Sequence, residues 1–551
     1  MSHENLHHQQ VLTASLGAVK SQLLTAHYQA DPLALYRTLS ANTSNSLLLE
    51  SAEISDKRAL KSLLLADTAI KIVCNGNTVS LCAKSINGES ALAYLLQQFS
   101  QERYQQAVTI TEQNETRLAL TFHPQNAEQD ELSRLLTVNP LQVLRELQAL
   151  NTDEEHPFAV FIGGAFAFDL IGIAEQLPVV VDSENSCPDY VYYLAETLIV
   201  IDHQQQSTEI LASIFSGPKQ AEAEQQLAQR LIALEQICQQ QLVSKAIDLQ
   251  QRVETEIQVN ISDQQFCQQV EQLKEHIRAG DIFQVVPSRT FAIDCKDDLD
   301  AYQALKLTNP SPYMFYLKDD DFSLFGASPE SALKFSACNR QVEIYPIAGT
   351  RPRGFNEAGI YSADLDGRIE LELRNDEKEK AEHLMLVDLA RNDIARVSKG
   401  GTRYVAELLK VDRYSHVMHL VSRVIGTLAD KLDALHAYQA CMNMGTLSGA
   451  PKVKATELIR NIEGKRRGSY GGAVGYITGQ GDMDSCIVIR SAFVKNNVAY
   501  IQAGAGVVYD SDPQAEADET RQKAQAVITA VQIANANSNS NSAAKEMHHD
   551  S

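Results

Sequence analysis

Apolar residues along the chain repeat with two periods, and each predicts its own kind of element. "DPLALYRTLS", starting at Asp31 and Pro32, has the spacing of an amphipathic helix. "SLLLESAEI" and "AIKIVCNGNTVSLCA" read as strands, with a turn at Asn75-Gly76. In "VFIGGAFAFDL" the paired glycines point to close backbone approach, and "DYVYYLAETLIVID" is rich in residues that favour strands. These pieces predict an α+β domain over residues 1–217. The pattern then changes. "PKQAEAEQQLAQRLIALEQICQQQLVSKA" is rich in Gln, Glu and Ala, with Leu227, Leu231, Leu234 and Cys238 at helical spacing, and it predicts a connecting helix within residues 218–254. Residues 255–533 alternate helices such as "SDQQFCQQVEQLKEHIRAG" with strands such as "DIFQVVPSRTFAI" and "YGGAVGYITG", which predicts a second domain. The tail at 534–551, "ANANSNSNSAAKEMHHDS", is too polar to bury a core and is expected to be disordered.

Composition narrows the function classes. The 551 residues carry a formal charge of −22, from 70 acidic against 48 basic side chains, which disfavours attraction to phosphate backbones or anionic lipid. The nine cysteines are scattered and never spaced as Cys-x-x-Cys, so neither a disulfide framework nor a zinc site is indicated and a cytoplasmic setting is expected. The start, "MSHENLHHQQ", lacks an apolar export core, and Asp169 cuts the most apolar stretch before it could span a bilayer. Tryptophan is absent, although 19 Tyr and 16 Phe are present.

Candidate chemistry lies in three places. "YPIAGTRPRG" (345–354) reads as a strand entering a turn. There Gly349 exposes amides, Thr350 adds a hydroxyl, and Arg351 and Arg353 could fork onto an anionic small molecule. The alternative is an ordinary turn with two solvated arginines. In the helix former "RNDEKEKAEHLMLVDLARND" (374–393), Glu379 and Glu382 share a face with His383 beside them. In "DSDPQAEADETRQKA", Asp512 caps a helix with Pro513 in its first turn, and Glu516 and Glu519 fall one turn apart. Glu379 and Glu382 alone read first as a solvated helix face, and Glu516 and Glu519 as acids that complement the helix dipole. If the two converged they would need a cation, and an all-oxygen donor set points to Mg²⁺. The Gly504-Ala505-Gly506 turn could offer N–H groups to an anion. "SGAPK" is not a phosphate loop, so nucleotide hydrolysis is excluded.

Taken together, "FGASPES", "YPIAGTRPRG", "KAEHLMLVDLARND", "VMHLVSRVIG", "MGTLSGAPK", "GSYGGAVGY", "IVIRSA", "IQAGAGVVYDSDP" and "EADET" resemble the chorismate-utilising enzymes, most closely the anthranilate synthase component I family. The match covers nearly all of residues 255–525 and extends more thinly to "LLLESAEI" and "GGAFAFDL". The resemblance implies an α+β fold, a four-layer α/β/β/α sandwich with two orthogonally packed, mostly antiparallel sheets. It also implies that Gly349, Thr350, Tyr470, Arg490, Gly504, Ala505 and Gly506 contact chorismate. Glu382 and Glu519 would hold Mg²⁺, with Glu379 and Glu516 in support. Glu330 would be the general acid and His419 would assist elimination. The implied reaction adds ammonia to C2 with loss of the C4 hydroxyl, then eliminates pyruvate to leave anthranilate, the first step of tryptophan biosynthesis. Related branches carry a lysine at the position of Ala348 or of Gln284; this sequence has neither, which selects the ammonia-using branch over aminodeoxychorismate synthase. No glutaminase motif is present, so the resemblance implies a separate glutamine amidotransferase subunit (component II) in a heterotetramer. "LLLESAEI" and "NPSPYMFY" match segments that bind tryptophan as feedback inhibitor, through Glu50, Ser51, Asn309, Pro312, Tyr313 and Met314. A family member without tryptophan in its own sequence fits an enzyme needed when that amino acid runs out. A catalytically silent tryptophan-binding regulator on the same fold is the remaining alternative.

Overall fold

The computed structural model describes residues 16–41, 43–51, 61–124, 130–152, 156–356, 359–414 and 417–549. The opening "MSHENLHHQQ" and Ala52 to Ile54 of the "LLLESAEI" motif lie outside the described residues. Helices and strands mix along the whole chain, and the strands pair almost entirely antiparallel.

Continuous apolar runs become strands buried on both faces. In Ser46–Glu50, Leu47 packs into a cluster built almost wholly from strand side chains, whereas Leu48 enters a second cluster shared with helices. Lys61–Asn75 repeats this, with Leu63 and Leu65 on one side and Leu64 on the other; Tyr313–Lys318 does so with Phe315 and Leu317 against Met314 and Tyr316. Successive side chains of a strand point to opposite faces, so an unbroken apolar run marks a sheet covered on both sides. The strand-only cluster is the layer between sheets. The helices Pro32–Ser40, Gln220–Cys238 and Asp298–Thr308 cover one outer face, and Ile86–Phe99 and Glu377–Val397 cover the other.

Strands from before and after the connecting helix share this framework. Ser46–Glu50 pairs with Lys61–Asn75 on one side and with Tyr313–Lys318 on the other. Phe161–Phe166 likewise lies between Tyr190–Asp202 and Ala473–Thr478, with Gly164 opposite Gly475. The close approach predicted for the paired glycines is present: a Cβ on Gly164 would sit 2.1 Å from the Val191 carbonyl oxygen, and one on Gly475 would sit 2.1 Å from that of Asp484. The connecting helix Gln220–Cys238 buries Leu227, Leu231, Leu234 and Cys238, the stripe read from its spacing.

Local signals set the helix ends. Asp31 accepts from the Ala34 amide at 3.0 Å, and Ser262 and Gln265 form a reciprocal capping box closed at the far end by left-handed Gly280. The stretch 374–393 is not one helix. Asp376 ends Ala363–Asn375 and caps Glu377–Val397, accepting from the Glu379 amide at 3.0 Å.

The C-terminal tail departs from expectation. The last helix, Pro513–His549, runs straight through Ala534, so the stretch expected to be disordered is helical. Ala534 is fully buried and Asn535 nearly so. The Asn535 side chain accepts from the Lys296 amide (3.0 Å) and donates to the Asp294 carbonyl (2.7 Å), while Asn537 accepts from the Asp248 amide (3.0 Å). Polar composition misled because these asparagines satisfy the ends of other elements. No described helix is long and apolar enough to cross a membrane, and all nine cysteines are unpaired thiols.

Candidate active site

Two helices that start far apart in sequence bring their first two turns to one cavity of about 430 Å³. Glu377–Val397 contributes Glu379 and Glu382, and Pro513–His549 contributes Glu516 and Glu519. The second helix is capped as predicted, with the Ala515 amide donating to Asp512 at 2.9 Å. The walls are completed by Gly349 and Thr350 from the strand Ile347–Pro352, by Glu330, His419, Tyr470 and Arg490, and by Gly504 and Gly506 after Val498–Gly504.

Electrostatics show how tightly the acids are gathered. Burial and the neighbouring Glu379 raise Glu382 above the usual carboxylate range. Burial, reinforced by Glu519, pushes Glu516 up to about 7. Burial would also raise Glu519, but Lys523, 2.9 Å away and one turn on, outweighs it and holds Glu519 low. Glu379 accepts from Arg351 at 2.8 Å, and Glu382 accepts from the Gln284 amide at 2.9 Å. Among the described residues, no three His, Cys, Asp or Glu side chains stand close enough to enclose an ion by themselves.

The opposite wall carries the groups suited to proton transfer and anion binding. Glu330 is buried, accepts from the Thr446 hydroxyl at 3.0 Å, and is pushed up to about 8 by burial. His419 lies 2.9 Å from the Thr350 hydroxyl through Nδ1. Burial and the nearby Arg490 guanidinium pull its pKa down to about 4, so the ring is neutral at pH 7. Arg490 itself has left-handed backbone (φ 49°), and no carboxylate among the described residues pairs with it, so burial depresses its pKa. A guanidinium facing a cavity without a counter-ion is a ready partner for an incoming carboxylate.

Two wall positions are glycines with close neighbours. Gly349 has φ 83°, and a Cβ there would lie 3.1 Å from Glu379; a Cβ on Gly506 would lie 2.8 Å from the Gln284 amide nitrogen. Ala348, beside Gly349, contributes only a methyl and a carbonyl that accepts from His383 at 3.3 Å. His383 is structural: its other ring nitrogen is 2.7 Å from the Ser422 hydroxyl.

Two expectations need correction. Arg351 and Arg353 neither await an anion nor float in solvent. Arg351 is held by Glu379 and Asp376 (2.8 Å each), and Arg353 by Asp366 (2.7 Å) and the Tyr414 carbonyl (2.6 Å). Ala505, assigned to the substrate turn, is fully buried, and its amide donates to the Pro287 carbonyl at 3.2 Å, so the turn presents only its two glycines. Lys523, Thr446 and Lys378 also line the cavity and were not foreseen. Of these, only the i, i+4 spacing of Glu519 and Lys523 was visible in the sequence.

Of the residues matched to tryptophan binding, none lines the reaction cavity, although Asn309 borders two of its residues. Glu50 pairs in register with Met314, and its buried carboxylate accepts from Tyr302 (2.6 Å) and Lys306 (2.5 Å). Ser51 follows at the strand end, and Met314 is buried in the helix-covered core. Pro312 is buried, and the Tyr313 hydroxyl lies 3.2 Å from Asp484. Asn309 caps the helix Asp298–Thr308 and, with Ser311, lines a small cavity of about 30 Å³ whose other walls include Pro329, His419 and Arg490.

Comparison with known proteins identifies the family. The chorismate binding enzyme family matches residues 89–529. Anthranilate synthase component 1 of Vibrio parahaemolyticus is 54% identical over 518 residues, covering 94% of this chain and 93% of the relative. That of Escherichia coli K12 is 54% identical over 514 residues, covering 92% and 96%. Among solved structures, anthranilate synthase component I from Streptococcus pneumoniae superposes with a TM-score of 0.65 at 29% identity, covering 86% of this chain and 94% of that one. The menaquinone-specific isochorismate synthase of Escherichia coli shares the fold, with a TM-score of 0.62 at 19% identity and coverage of 94% and 96%. A cavity walled by family motifs, matched over most of the chain, places this protein in the family of chorismate-binding enzymes, alongside the component 1 anthranilate synthases.

Proposed function

We propose that the cavity converts chorismate and ammonia to anthranilate and pyruvate. The observation that carries this reading is the juxtaposition of an unpaired guanidinium, Arg490, with four glutamates in one enclosure that also holds a protonated carboxyl, Glu330. The substrate is a dianion. Arg490, the Thr350 hydroxyl and the Gly349 and Gly504 backbone suit one carboxylate, but the acidic side of the cavity would repel the other without a cation.

The donor set fits Mg²⁺. It is all carboxylate, it is crowded enough to raise Glu382, and Mg²⁺ commonly binds through one or two carboxylates with retained waters and substrate oxygens, so an enclosing protein cage is not needed. Glu382 and Glu519 would hold it, with Glu379 and Glu516 in support. When bound, it would neutralise the ring carboxylate and ease loss of the hydroxyl. Glu330 carries a proton at neutral pH and gives it to the departing C4 hydroxyl, which leaves as water. Ammonia supplies the electron pair for the new C2–N bond while both ring double bonds shift. Elimination then removes the C2 proton and breaks the C3–O bond, leaving an aromatic ring, and the departing enolpyruvate takes up a proton to become pyruvate. An imidazole with a pKa of about 4 is a weak base, so His419 assists by orienting the Thr350 hydroxyl. With alanine at 348 and glutamine at 284, neither position offers a lysine to attack the ring or activate water, which favours free ammonia as nucleophile.

Ammonia in this reading comes from glutamine through a separate amidotransferase, the second component that a component 1 relative implies. Tryptophan would act as feedback inhibitor at the Glu50–Met314 pair. Support for coupling comes from Lys306, which binds Glu50 from the helix whose end, Asn309, borders His419 and Arg490 across the small cavity. The purified chain with chorismate, ammonium and Mg²⁺ should develop anthranilate fluorescence, which should vanish when the metal is chelated and fall at least 100-fold in Glu382→Gln. An aminated product that keeps the enolpyruvyl group would instead indicate aminodeoxychorismate synthesis, and tryptophan binding without any turnover would indicate a silent regulator.

A further inference from the structure

Gln284 is 2% exposed and lines the reaction cavity. Its amide nitrogen is committed to Glu382 at 2.9 Å, which fixes the orientation of the group: only the N–H end can face a carboxylate. Its oxygen, Oε1, is left buried with no hydrogen-bond partner among the described residues. An orphaned buried acceptor is costly, and in a native site it asks for a donor that arrives with the ligand. Gly506 keeps that neighbourhood open, since any Cβ there would strike the Gln284 amide nitrogen.

From this geometry we infer that Gln284 positions the nucleophile: its Oε1 accepts an N–H of ammonia and turns the nitrogen lone pair toward the ring. The inference rests on the amination reading given above. Ammonia attacks through its one lone pair, so its N–H bonds must be held by acceptors. The acceptor must also be a non-acid, because a protonated carboxyl such as Glu330 would convert ammonia to unreactive ammonium. A neutral amide oxygen meets both demands. It also has no basicity with which to take a proton from water, so it confers no advantage on hydrolysis. In the step itself the lone pair forms the C2–N bond, both ring double bonds shift, and the C4–O bond breaks. The hydroxyl leaves as water with the Glu330 proton, and the surplus proton of the new amine returns to the vacated Glu330 carboxylate. Gln284 exchanges no proton; it is a positioning residue.

The test is steady-state kinetics of Gln284→Met, which keeps the volume and removes the acceptor, with ammonium, chorismate and Mg²⁺ each varied in turn. The KM for ammonia should rise tenfold or more, while those for chorismate and Mg²⁺ stay within about threefold. The second half-reaction, release of pyruvate from the isolated aminated intermediate, should fall far less than the overall rate and also reports that the variant is folded. An unchanged KM for ammonia, a loss explained wholly by the KM for Mg²⁺, or equal loss of both half-reactions overturns the inference. If the wild-type chain forms no anthranilate from ammonium at all, the amination reading itself fails; an active wild type with an indifferent Gln284→Met removes only the role of Gln284.

Discussion

Glu330 shows how one buried side chain trades stability for chemistry. Burial lifts its pKa from 4.5 to about 8, against the opposing pull of the Thr446 hydroxyl and the Lys523 charge. Between those values the folded protein keeps a proton that the unfolded chain has released, so this group's contribution to stability declines as pH rises from about 4.5 to about 8. The same proton serves the leaving hydroxyl, so the amination rate measured at a constant concentration of free ammonia should hold below pH 8 and decline above it. Glu330→Gln cannot deliver a proton: it should lose roughly 100-fold or more in the amination rate and flatten the alkaline limb. Its thermal midpoint, compared with wild type from pH 5 to pH 9, should gain steadily and level off past pH 8. A variant that is less stable than wild type at pH 9 would mean that Glu330 is held by partners as an anion, and its assignment as the acid would fall with it.

Helix starts are the elements on which the site depends, because both acidic pairs occupy the first two turns, with Glu379 and Glu516 in the first. Asp512 accepts from the Ala515 amide and so fixes the turn that presents Glu516 and Glu519; Asp376 does the same for Glu379 and also holds Arg351. Asp512→Ala should cost about 1 kcal/mol of stability, read from a denaturant midpoint, and should weaken Mg²⁺ binding by isothermal titration severalfold, since fraying moves two carboxylates at once. Stability lost with unchanged Mg²⁺ affinity would place the metal away from this helix. Local grammar of this kind was legible in the sequence: Asp31 and Asp512 announced their helices through capping chemistry that acts within four residues. Long-range pairing was not. Arg351 and Arg353 looked like ligand-binding arginines because Asp376 and Asp366, which neutralise them, are brought close only by tertiary folding. The C-terminal helix was under-read for the same reason, as the amides of Asp248 and Lys296 that anchor Asn537 and Asn535 lie more than 200 residues away. Glutamate spacing gave the pairs, while their convergence followed from the family resemblance and became visible in the fold.

At the scale of the whole molecule, the boundary suggested by composition falls where the sheet is continuous. Ser46–Glu50 is hydrogen-bonded to strands from both sides of the connecting helix, and Phe161–Phe166 is sandwiched in the same way between Tyr190–Asp202 and Ala473–Thr478. At the second seam Gly164 faces Gly475, and each is pressed so closely by a neighbouring backbone that a methyl group would need to occupy the space of a carbonyl oxygen. Residues 255–533 taken alone would keep every proposed active-site side chain. They would also expose the Tyr313–Lys318 and Ala473–Thr478 edges, together with Phe315, Leu317, Val474 and Cys486 of the inter-sheet layer. Bare apolar edges aggregate rather than stand free. The isolated 255–533 fragment should therefore fail to give a cooperative melt or near-ultraviolet dichroism. The intact chain should unfold in one transition, and Gly164→Val should lower its midpoint by several degrees or prevent folding. A fragment that melts cooperatively and makes anthranilate from ammonium would show that the first 254 residues are a dispensable regulatory layer. Failure of the fragment beside a single transition in the intact chain would show that the inhibitor-matched strand at Glu50 belongs to the same cooperative unit as the catalytic cavity, as direct communication between them requires.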